Sequence, residues 1–403
     1  MRVLIADAFE ASGVDGLEAL GCEVTVSPAL TGDALVAAVA EAQPDVLIVR
    51  STKVTEPIVA AGVPALRLVV RAGAGYDTID VAAASRRGVY VANCPGQNSV
   101  AVAELAFGLI AALDRRIPDN VAALREGRWA KGEFSKARGL YGRTLGVVGL
   151  GSIAAELVKR AQAFGMPVVA WSRSLTDEAA SELGVRRLGS PEEVAAAADV
   201  VSVHLALNDA TRGFVGAAFF DAMRPGAAFV NTSRAEIVDA AALRAAIDAK
   251  GLRVALDVWP DEPSGSAGEF SSDLASVPGV IGTAHIGAST EQAQQAIASE
   301  AVRIVGEFAA GRDVPNVVNM TRERATPAAC RLTIRHANAT GVLARVLEAI
   351  DAADLEVHEM ANNVFDGDEA AIVKIELHQL PTDDLVASLR ALPEVFSVIV
   401  REL

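Results

Sequence analysis

A short glycine-rich segment, residues 149–154, is the first candidate for chemistry. Its sequence is Gly-Leu-Gly-Ser-Ile-Ala, and it follows the apolar run 145–148 and precedes a helix-like run. A strand, a glycine turn and a helix in that order are typical of a dinucleotide-binding fingerprint. Gly149 would permit the tight turn, and Gly151 would let the backbone approach a pyrophosphate at the positive end of the helix. The segment therefore predicts dinucleotide binding, with a purely structural turn as the alternative.

Three polar side chains follow predicted strands farther along the chain: Arg234, Glu262 and His285. Open α/β sheets place their ligands at the ends of such strands. A hydride transfer to a 2-keto acid needs a cation for the carboxylate and ketone, an acid for the nascent alkoxide, and a carboxylate that orients the acid. Arginine, histidine and glutamate are the matching residue types. An isolated histidine is more often structural, but His285 lies in a polar loop rich in small residues.

The elements that would position these residues alternate between short strands and helices. Such a βα order predicts mostly parallel sheets with helices on both faces, and the second block has enough strands for a complete dinucleotide-binding domain. The predicted strands are 3–6, 23–26, 46–49, 66–70 and 89–92 in the first block, and 145–148, 168–171, 200–205, 228–231, 254–258 and 280–283 in the second. A long apolar helix is predicted from residue 99 to 113, with a possible continuation to 125 past Pro118.

The last 75 residues have a different order, strand–helix–strand–strand–helix–strand, which is typical of a ferredoxin-like fold. The segment 315–328, with its prolines and charges, is predicted to be a linker. The predicted fold class is therefore α/β, with two Rossmann-like doubly wound parallel-sheet domains and a C-terminal ferredoxin-like α+β domain.

Composition narrows the range of functions. The net charge of −15 argues against a general nucleic-acid binder, although a local basic pocket for an anionic substrate is compatible with it. The three cysteines, Cys22, Cys94 and Cys330, are far apart and lack metal-ligand spacing, so no metal is expected. The chain begins directly with a strand-like run, and no apolar run reaches about 18 residues. We therefore expect neither a secretory signal nor a membrane span, and a cytoplasmic location.

Seven motifs in a fixed order make the chain resemble the D-2-hydroxyacid dehydrogenase family over nearly its whole length. They lie at residues 71–77, 93–99, 103–105, 149–154, 231–239, 257–263 and 285–290. The resemblance implies an NAD(P)-dependent oxidoreductase in which Arg234 binds the substrate carboxylate and carbonyl, His285 is the general acid/base, and Glu262 is its partner. It also implies a discontinuous substrate-binding domain, 1–96 and 288–314, a dinucleotide-binding domain, 97–287, and, after the linker, a C-terminal domain, 329–403.

Cofactor contacts follow from the same resemblance. They are expected at Gly149, Gly151, Ser152, Ile153, Ser172, Arg173, Ser174, His204, Thr232, Ser233 and Asp257. The acidic residue expected about 20 positions after the glycines is absent, because the strand 168–171 is followed by Ser172 and Arg173. An acid there would repel a 2′-phosphate, so its absence predicts that NADP(H) is tolerated beside NAD. The alternatives are that Arg173 points to solvent, and that His204 has only a structural role.

The basic residues near the first block resemble those of family members that act on 3-phosphoglycerate. The expected substrate contacts are Arg50, Ser51, Lys53, Arg71, Ala72, Gly73 and Lys131. A doubly charged phosphate favours several converging cations, although these residues could also be ordinary solvated charges. Lys131 matches a position that in some members reaches the site of a neighbouring subunit. The competing functions are an NADPH-linked glyoxylate or hydroxypyruvate reductase and a non-catalytic redox or amino-acid sensor.

The C-terminal module resembles an ACT regulatory domain. His336 and Asn338 match the start of its ligand loop, whereas Glu356 stands at the second ligand asparagine and would repel an amino-acid carboxylate. The resemblance therefore implies either an amino-acid effector or dimerisation alone. The long helix and the family habit predict a homodimer or homotetramer, with a small 2-hydroxy or 2-keto acid as the substrate.

Overall fold

The computed structural model describes residues 1–28, 30–263, 268–320 and 327–403. The chain forms two compact units, residues 1–319 and 320–403, which we call the N-terminal and C-terminal units. Residues 321–326 of the predicted linker lie outside the described residues. In the part of the chain that the structure covers, no helix is long and apolar enough to cross a membrane.

The first sheet of the N-terminal unit has five parallel strands in the order β2-β1-β3-β4-β5. This is a doubly wound order, and it confirms the predicted fold class for the first block. Its strands are β1 (Arg2–Ile5), β2 (Glu23–Val26), β3 (Val46–Val49), β4 (Leu68–Arg71) and β5 (Tyr90–Asn93). The helices between them are α1 (Ala11–Ala19), α2 (Gly32–Ala42), α3 (Glu56–Gly62) and α4 (Val81–Arg86).

The next helices contain one departure from the predicted pattern. The expected long helix is two helices, α5 (Ser99–Arg115) and α6 (Ile117–Arg125), followed by the short α7 (Lys131–Phe134). The break lies at Arg116, which adopts a left-handed conformation with φ of 51°. Pro118 then occupies the first turn of α6, where its missing N–H has no helical partner to lose. The prediction that one helix continues past Pro118 is therefore wrong.

The second sheet is also parallel and has the order β12-β11-β10-β9-β6-β7-β8. The order reverses between β6 and β9, where doubly wound folds leave a crevice for ligands. Its strands are β6 (Leu145–Val148), β7 (Val168–Trp171), β8 (Arg186–Arg187), β9 (Val200–Val203), β10 (Ala228–Asn231), β11 (Arg253–Leu256) and β12 (Val280–Gly282). The helices are α8 (Ser152–Ala163), α9 (Asp177–Glu182), α10 (Pro191–Ala197), α11 (Ala217–Ala222) and α12 (Ala240–Lys250). Six of these strands were predicted, and β8 is additional.

The last helix of the N-terminal unit returns to the first sheet. This helix, α13 (Glu291–Ala309), buries Ile297, Ala301 and Ile304 in the core that also contains residues of β1 and β3. The long α5 instead packs with α8 in the core of the second sheet. The chain therefore crosses between the two sheets near residues 99 and 290.

The C-terminal unit has one antiparallel sheet in the order β14-β15-β13-β16. Its elements are β13 (Cys330–Ala337), α14 (Val342–Ala352), β14 (Val357–Val364), β15 (Ala370–Leu377), α15 (Asp383–Arg390) and β16 (Val395–Glu402). The apolar faces of both helices, including Val346, Ile350 and Leu389, share a core with alternate residues of the strands. This arrangement confirms the predicted ferredoxin-like order.

Candidate active site

His285 and Glu262 form a hydrogen-bonded pair at the end of the second sheet. Nδ1 of His285 lies 2.8 Å from Oε2 of Glu262, and Oε1 accepts a 2.7 Å hydrogen bond from the backbone N–H of Trp259. Burial acts to raise the pKa of Glu262, but the hydrogen bonds from His285 and Trp259 outweigh it and lower the pKa below its usual value. Because the carboxylate stays ionised and engages Nδ1, the other ring nitrogen of His285 is available for acid–base chemistry. The His285 side chain is 47% exposed.

The loop that carries His285 is anchored by Asp257, whose residue is only 1% exposed. The backbone N–H of His285 donates to the Asp257 carbonyl at 2.8 Å. The Asp257 carboxylate accepts hydrogen bonds from the Thr283 hydroxyl at 2.6 Å and from the N–H groups of Ile286 and Gly287 at 2.9 Å each. His285 itself has a φ of 51°, a left-handed conformation that costs free energy for a side-chain-bearing residue. Asp257 therefore supplies the hydrogen bonds that hold this strained turn.

Arg234 lies just after β10 and forms an ion pair with Asp77, which follows β4 of the first sheet. Its Nε donates to Oδ1 and Oδ2 of Asp77 at 3.1 and 3.2 Å, and its Nη2 donates to Oδ1 at 3.0 Å. Its Nη1 donates to the carbonyl of Ser233 at 2.8 Å. Burial acts to raise the pKa of Asp77, but the hydrogen bond and charge of Arg234 lower it below its ordinary value. The charge of Arg234 also helps to lower the pKa of Glu262, so these groups share one site.

Arg71 at the end of β4 adds a second guanidinium to this site. Burial and the neighbouring charge of Arg234 lower its pKa to about 10, and the charge of Arg50 acts in the same direction. Within the described residues, its buried Nε has no hydrogen-bond partner, and its Nη1 reaches the carbonyl of Ala72 only at 3.4 Å. The charges of Arg234 and Arg50 therefore both act on Arg71, and a cluster of like charges favours an anionic ligand.

The loop after β3 is held by a carboxylate that sequence reasoning did not single out. Oδ2 of Asp7 accepts the N–H groups of Arg50, Ser51 and Thr52 at 2.6, 3.1 and 3.1 Å. Arg50 follows Val49, which pairs with Arg71 in the sheet, and its charge acts on Arg71. Ala72 and Gly73, both buried, come directly after Arg71. Two predicted substrate residues have other surroundings: Lys53 is exposed, and Lys131 is exposed on α7 and shares no hydrogen bond or ion pair with the site in the described chain.

The glycine segment has the shape that a dinucleotide requires. Gly149 has a φ of 87°, and a side-chain carbon there would lie 2.6 Å from the carbonyl oxygen of His204. A side-chain carbon at Gly151 would meet no atom within 4 Å, so the space before α8 is open. Gly151 provides no side-chain cap for α8, and the backbone N–H groups of the first turn are available to an anion. Ser152 instead bonds Ser99 through the two hydroxyls at 2.9 Å, while the next residue, Ile153, packs against the core.

Other predicted cofactor residues lie along the same edge of the sheet. The Thr232 hydroxyl oxygen is buried without a partner in the part of the chain that the structure describes, whereas the Ser233 hydroxyl donates to Asn231 at 2.7 Å. An unpaired buried hydroxyl, the open space at Gly151 and the free helix terminus fit a bound dinucleotide. Ser172, Arg173 and Ser174 follow β7, where Arg173 and Ser174 are exposed.

His204 is held by the protein itself. Its Nε2 lies 2.8 Å from the Ser202 hydroxyl, and burial lowers its pKa to about 4. A neutral ring with one protein partner favours the structural alternative, so the predicted cofactor contact of His204 remains untested.

Comparisons with known proteins bear on this geometry. A family profile described as D-isomer specific 2-hydroxyacid dehydrogenase, NAD binding domain, matches residues 107–287. A D-3-phosphoglycerate dehydrogenase from Methanocaldococcus jannaschii is 38% identical over 322 residues, which cover 79% of this chain and 60% of that protein. The NAD-binding domain at residues 107–287 is therefore of the D-isomer specific 2-hydroxyacid dehydrogenase type. The resemblance inferred from the seven motifs is thus confirmed, and the chain spans about three fifths of the length of this curated relative.

Solved structures share this fold over about four fifths of the chain. The TT0316 protein from Thermus thermophilus is 32% identical, with a TM-score of 0.70, and the alignment covers 79% of this chain and 100% of that one. A cofactor (NAD+)-bound 3-phosphoglycerate dehydrogenase from Entamoeba histolytica is 27% identical, with a TM-score of 0.67, and the alignment covers 79% of this chain and 99% of that one.

The predicted effector residues form hydrogen bonds within the C-terminal unit. His336 is 2% exposed; its Nδ1 lies 2.8 Å from the carbonyl of Ala337 and its Nε2 lies 3.2 Å from Oδ1 of Asn362. The Asn338 amide donates to the carbonyl of Asp368 at 2.9 Å. Their proposed role toward an effector stays a prediction.

Proposed function

We propose that this chain is an NAD(P)-dependent dehydrogenase that interconverts 3-phosphoglycerate and 3-phosphohydroxypyruvate, as in the biosynthesis of L-serine. The observation that carries the proposal is the hydrogen-bonded pair of His285 and Glu262, with Arg234 after the neighbouring strand β10 and its charge acting on Glu262. The relative from Methanocaldococcus jannaschii, which is 38% identical, is named D-3-phosphoglycerate dehydrogenase, and this name supports the choice of substrate.

The three side chains have complementary roles in this reaction. When bound, the nicotinamide cofactor supplies the hydride to the 2-carbon, or accepts it in the reverse direction. Arg234 holds the substrate carboxylate and polarises the adjacent carbonyl. His285 gives a proton to the oxygen that becomes the hydroxyl, or takes it during oxidation, and Glu262 stabilises the protonated ring and fixes its orientation.

Arg71 and Arg50 are proposed to bind the phosphate end of the substrate. The support is the buried Nε of Arg71, which has no partner among the described residues, and the burial and neighbouring arginine charges that lower its pKa to about 10. A dianion placed between these guanidiniums would relieve their mutual repulsion and complete their hydrogen bonds. Ser51 and Lys53 belong to the same loop as Arg50. Lys131 is proposed to reach the active site of a neighbouring subunit.

The cofactor is proposed to be NAD, with NADP also accepted. The support for NADP is the absence of an acid after β7, where Ser172 and the exposed Arg173 stand. This same feature favours a second candidate function, an NADPH-dependent reductase of glyoxylate or hydroxypyruvate, in which Arg50 and Arg71 would be general carboxylate anchors.

One assay separates the two candidates. NADH and NADPH oxidation is measured with 3-phosphohydroxypyruvate and, in parallel, with unphosphorylated hydroxypyruvate. A large advantage in kcat/KM for the phosphorylated acid supports the proposed function, and it should shrink in Arg71→Ala. Equal or better turnover of hydroxypyruvate would reject the phosphate pocket.

His285→Ala should lose about 10²- to 10⁴-fold in rate, and retention of more than a tenth of the activity would contradict the assigned chemistry.

Domain roles, assembly and location complete the proposal. The packing of α13 on the first sheet supports a substrate domain made of 1–96 and 288–314, with the cofactor domain at 97–287.

Exposed aromatic residues between α6 and β6, Trp129 at 83% and Tyr141 at 88%, support a homodimer, which gel filtration with light scattering would test. The C-terminal unit is proposed to bind an amino acid or to dimerise. Three free, buried cysteines support a reducing, cytoplasmic setting.

A further inference from the structure

Asp77 is a carboxylate inside a site that must bind an anion, and its position calls for an explanation. We propose that Asp77 is the positioning residue for Arg234: it occupies one edge of the guanidinium and leaves the other edge for the substrate carboxylate. The inference rests on the proposed function, because that function requires an arginine that holds a carboxylate.

The hydrogen bonds of Arg234 show which donors are taken. A guanidinium has five N–H groups, arranged as a side edge formed by Nε and Nη2 and an end edge formed by Nη1 and Nη2. Asp77 accepts from Nε and Nη2 and therefore fills the side edge. Nη1 donates one N–H to the carbonyl of Ser233. One N–H on each of Nη1 and Nη2 is left over, and two such donors suit a bidentate carboxylate.

Backbone geometry supports the same orientation. Gly75 lies against the guanidinium, because a side-chain carbon at this position would overlap Nη2 of Arg234. Asp77 follows β4 in the first sheet, whereas Arg234 follows β10 in the second, so the ion pair fixes the arginine against a separate part of the scaffold. With side chains only 22% and 26% exposed, water screens this pair less than an open surface pair.

Asp77 also opposes the repulsion between neighbouring arginines. Among the charges that act on Arg71, Arg234 lowers its pKa and Asp77 raises it. Without Asp77, two guanidiniums would face each other in the free enzyme, and Arg234 would turn away. Its rotation would displace the carbonyl-polarising N–H groups, and a misplacement of about 1 Å can cost about 100-fold in rate.

The two contributions of Asp77 predict a distinctive kinetic pattern. Without Asp77, Arg234 loses its orientation, which should lower kcat. The loss of the negative charge of Asp77 should favour binding of an anionic substrate and so offset the weaker binding by a misplaced Arg234. We expect Asp77→Asn to lower kcat about 10- to 100-fold and to change KM for the keto acid less than about 5-fold.

The matched control is Asp80→Asn. Asp80 lies three residues away and caps α4 by accepting the N–H of Ala83 at 2.8 Å. Asparagine caps helices as well as aspartate does. This variant should therefore keep kcat within about twofold of the wild-type value, since the change touches no proposed substrate contact.

A spectroscopic measurement makes the test independent of turnover. In full-length protein labelled with ¹⁵N at arginine Nε, the Arg234 signal is assigned by its loss in Arg234→Lys. We expect its N–H to exchange slowly with water in the wild type and in Asp80→Asn. The exchange should be at least about tenfold faster in Asp77→Asn, because Nε now donates to both carboxylate oxygens and the NH₂ that replaces one of them would face it donor to donor.

The outcomes separate the two proposals. Faster exchange together with the kcat loss in Asp77→Asn supports the inference. Unchanged exchange, or a kcat within threefold of wild type, overturns it. If the wild type reduces no 2-keto acid, the proposed function falls, and the exchange result alone decides whether Asp77 fixes Arg234.

Discussion

Replacing Asp257 by asparagine should release the loop that carries His285. The carboxylate accepts one hydroxyl and two backbone N–H groups, from Thr283, Ile286 and Gly287. An asparagine amide could still accept from Thr283 and Ile286 through its oxygen. Its NH₂ group would then face the Gly287 N–H at the 2.9 Å distance of the present hydrogen bond, which places two donors against each other.

The cost can be worked from these contacts. A hydrogen bond to a charged group contributes about 1.5–3 kcal/mol, and an unsatisfied buried donor costs a similar amount. The left-handed turn at His285 adds strain that these hydrogen bonds now offset. We therefore expect the loop to open about 2–3 kcal/mol more easily, so the amides of Ile286 and Gly287 should exchange about 30- to 150-fold faster.

Hydrogen exchange and kinetics together test this prediction. Because His285 would leave its position beside Glu262, kcat should fall by about 100-fold. The control is Asp239→Asn, since Asp239 also accepts two backbone N–H groups, at 3.0 Å each, but only caps α12. Asp239→Asn should change neither the amide exchange of residues 286 and 287 nor kcat. If Asp257→Asn opens the loop and yet keeps kcat within threefold of wild type, the reasoning that links this turn to His285 is wrong.

Three further predictions follow from single contacts. Gly75→Ala should lower kcat/KM at least about tenfold because the methyl group displaces Arg234, whereas Gly108→Ala, in open space on α5, should keep kcat/KM unchanged and slightly raise the melting temperature. The pKa of Glu262 is lower in the folded protein than in the unfolded chain. The ionised carboxylate therefore stabilises the folded state fully above about pH 4.5, and this contribution is lost as the pH falls through the pKa of the folded state. Glu262→Gln should flatten the dependence of melting temperature on pH in acid, and an unchanged slope would contradict this. Ser172→Asp should raise the ratio of kcat/KM with NADH to that with NADPH about tenfold or more, and a constant ratio would show that position 172 does not face the ribose.

Much of the fold could be predicted from hydrophobic patterns. Strands buried on both faces form short continuous apolar runs, and this made β3, β6 and β9 recognisable. The strand β8 could not be found in this way because it consists of two exposed arginines at the sheet edge. The break at Arg116 was missed because it depends on one residue that adopts a left-handed conformation, for which arginine gives no signal.

The site was predictable where the residue type alone suggested chemistry. Arg234, Glu262 and His285 stand after strands, and the structure brings them to one site. Asp77 and Asp7 were missed for a physical reason: a carboxylate near a predicted anion site contradicts simple charge counting. Both follow strand ends, and Asp77 also ends the motif at residues 71–77, so these were the signals that could have revealed them.

Besides Asp257, three carboxylates of the site have positions that their protein partners explain. Asp7 is held by backbone N–H groups, Asp77 by Arg234, and Glu262 by His285 and a backbone N–H. Each is directed toward protein donors, so its charge is compensated locally rather than presented to a ligand. The donors that remain are the end edge of Arg234 and the buried Nε of Arg71, which is unpartnered among the described residues. A chain with a net charge of −15 can therefore still present a cationic site, because its acidic side chains there serve to aim the arginines.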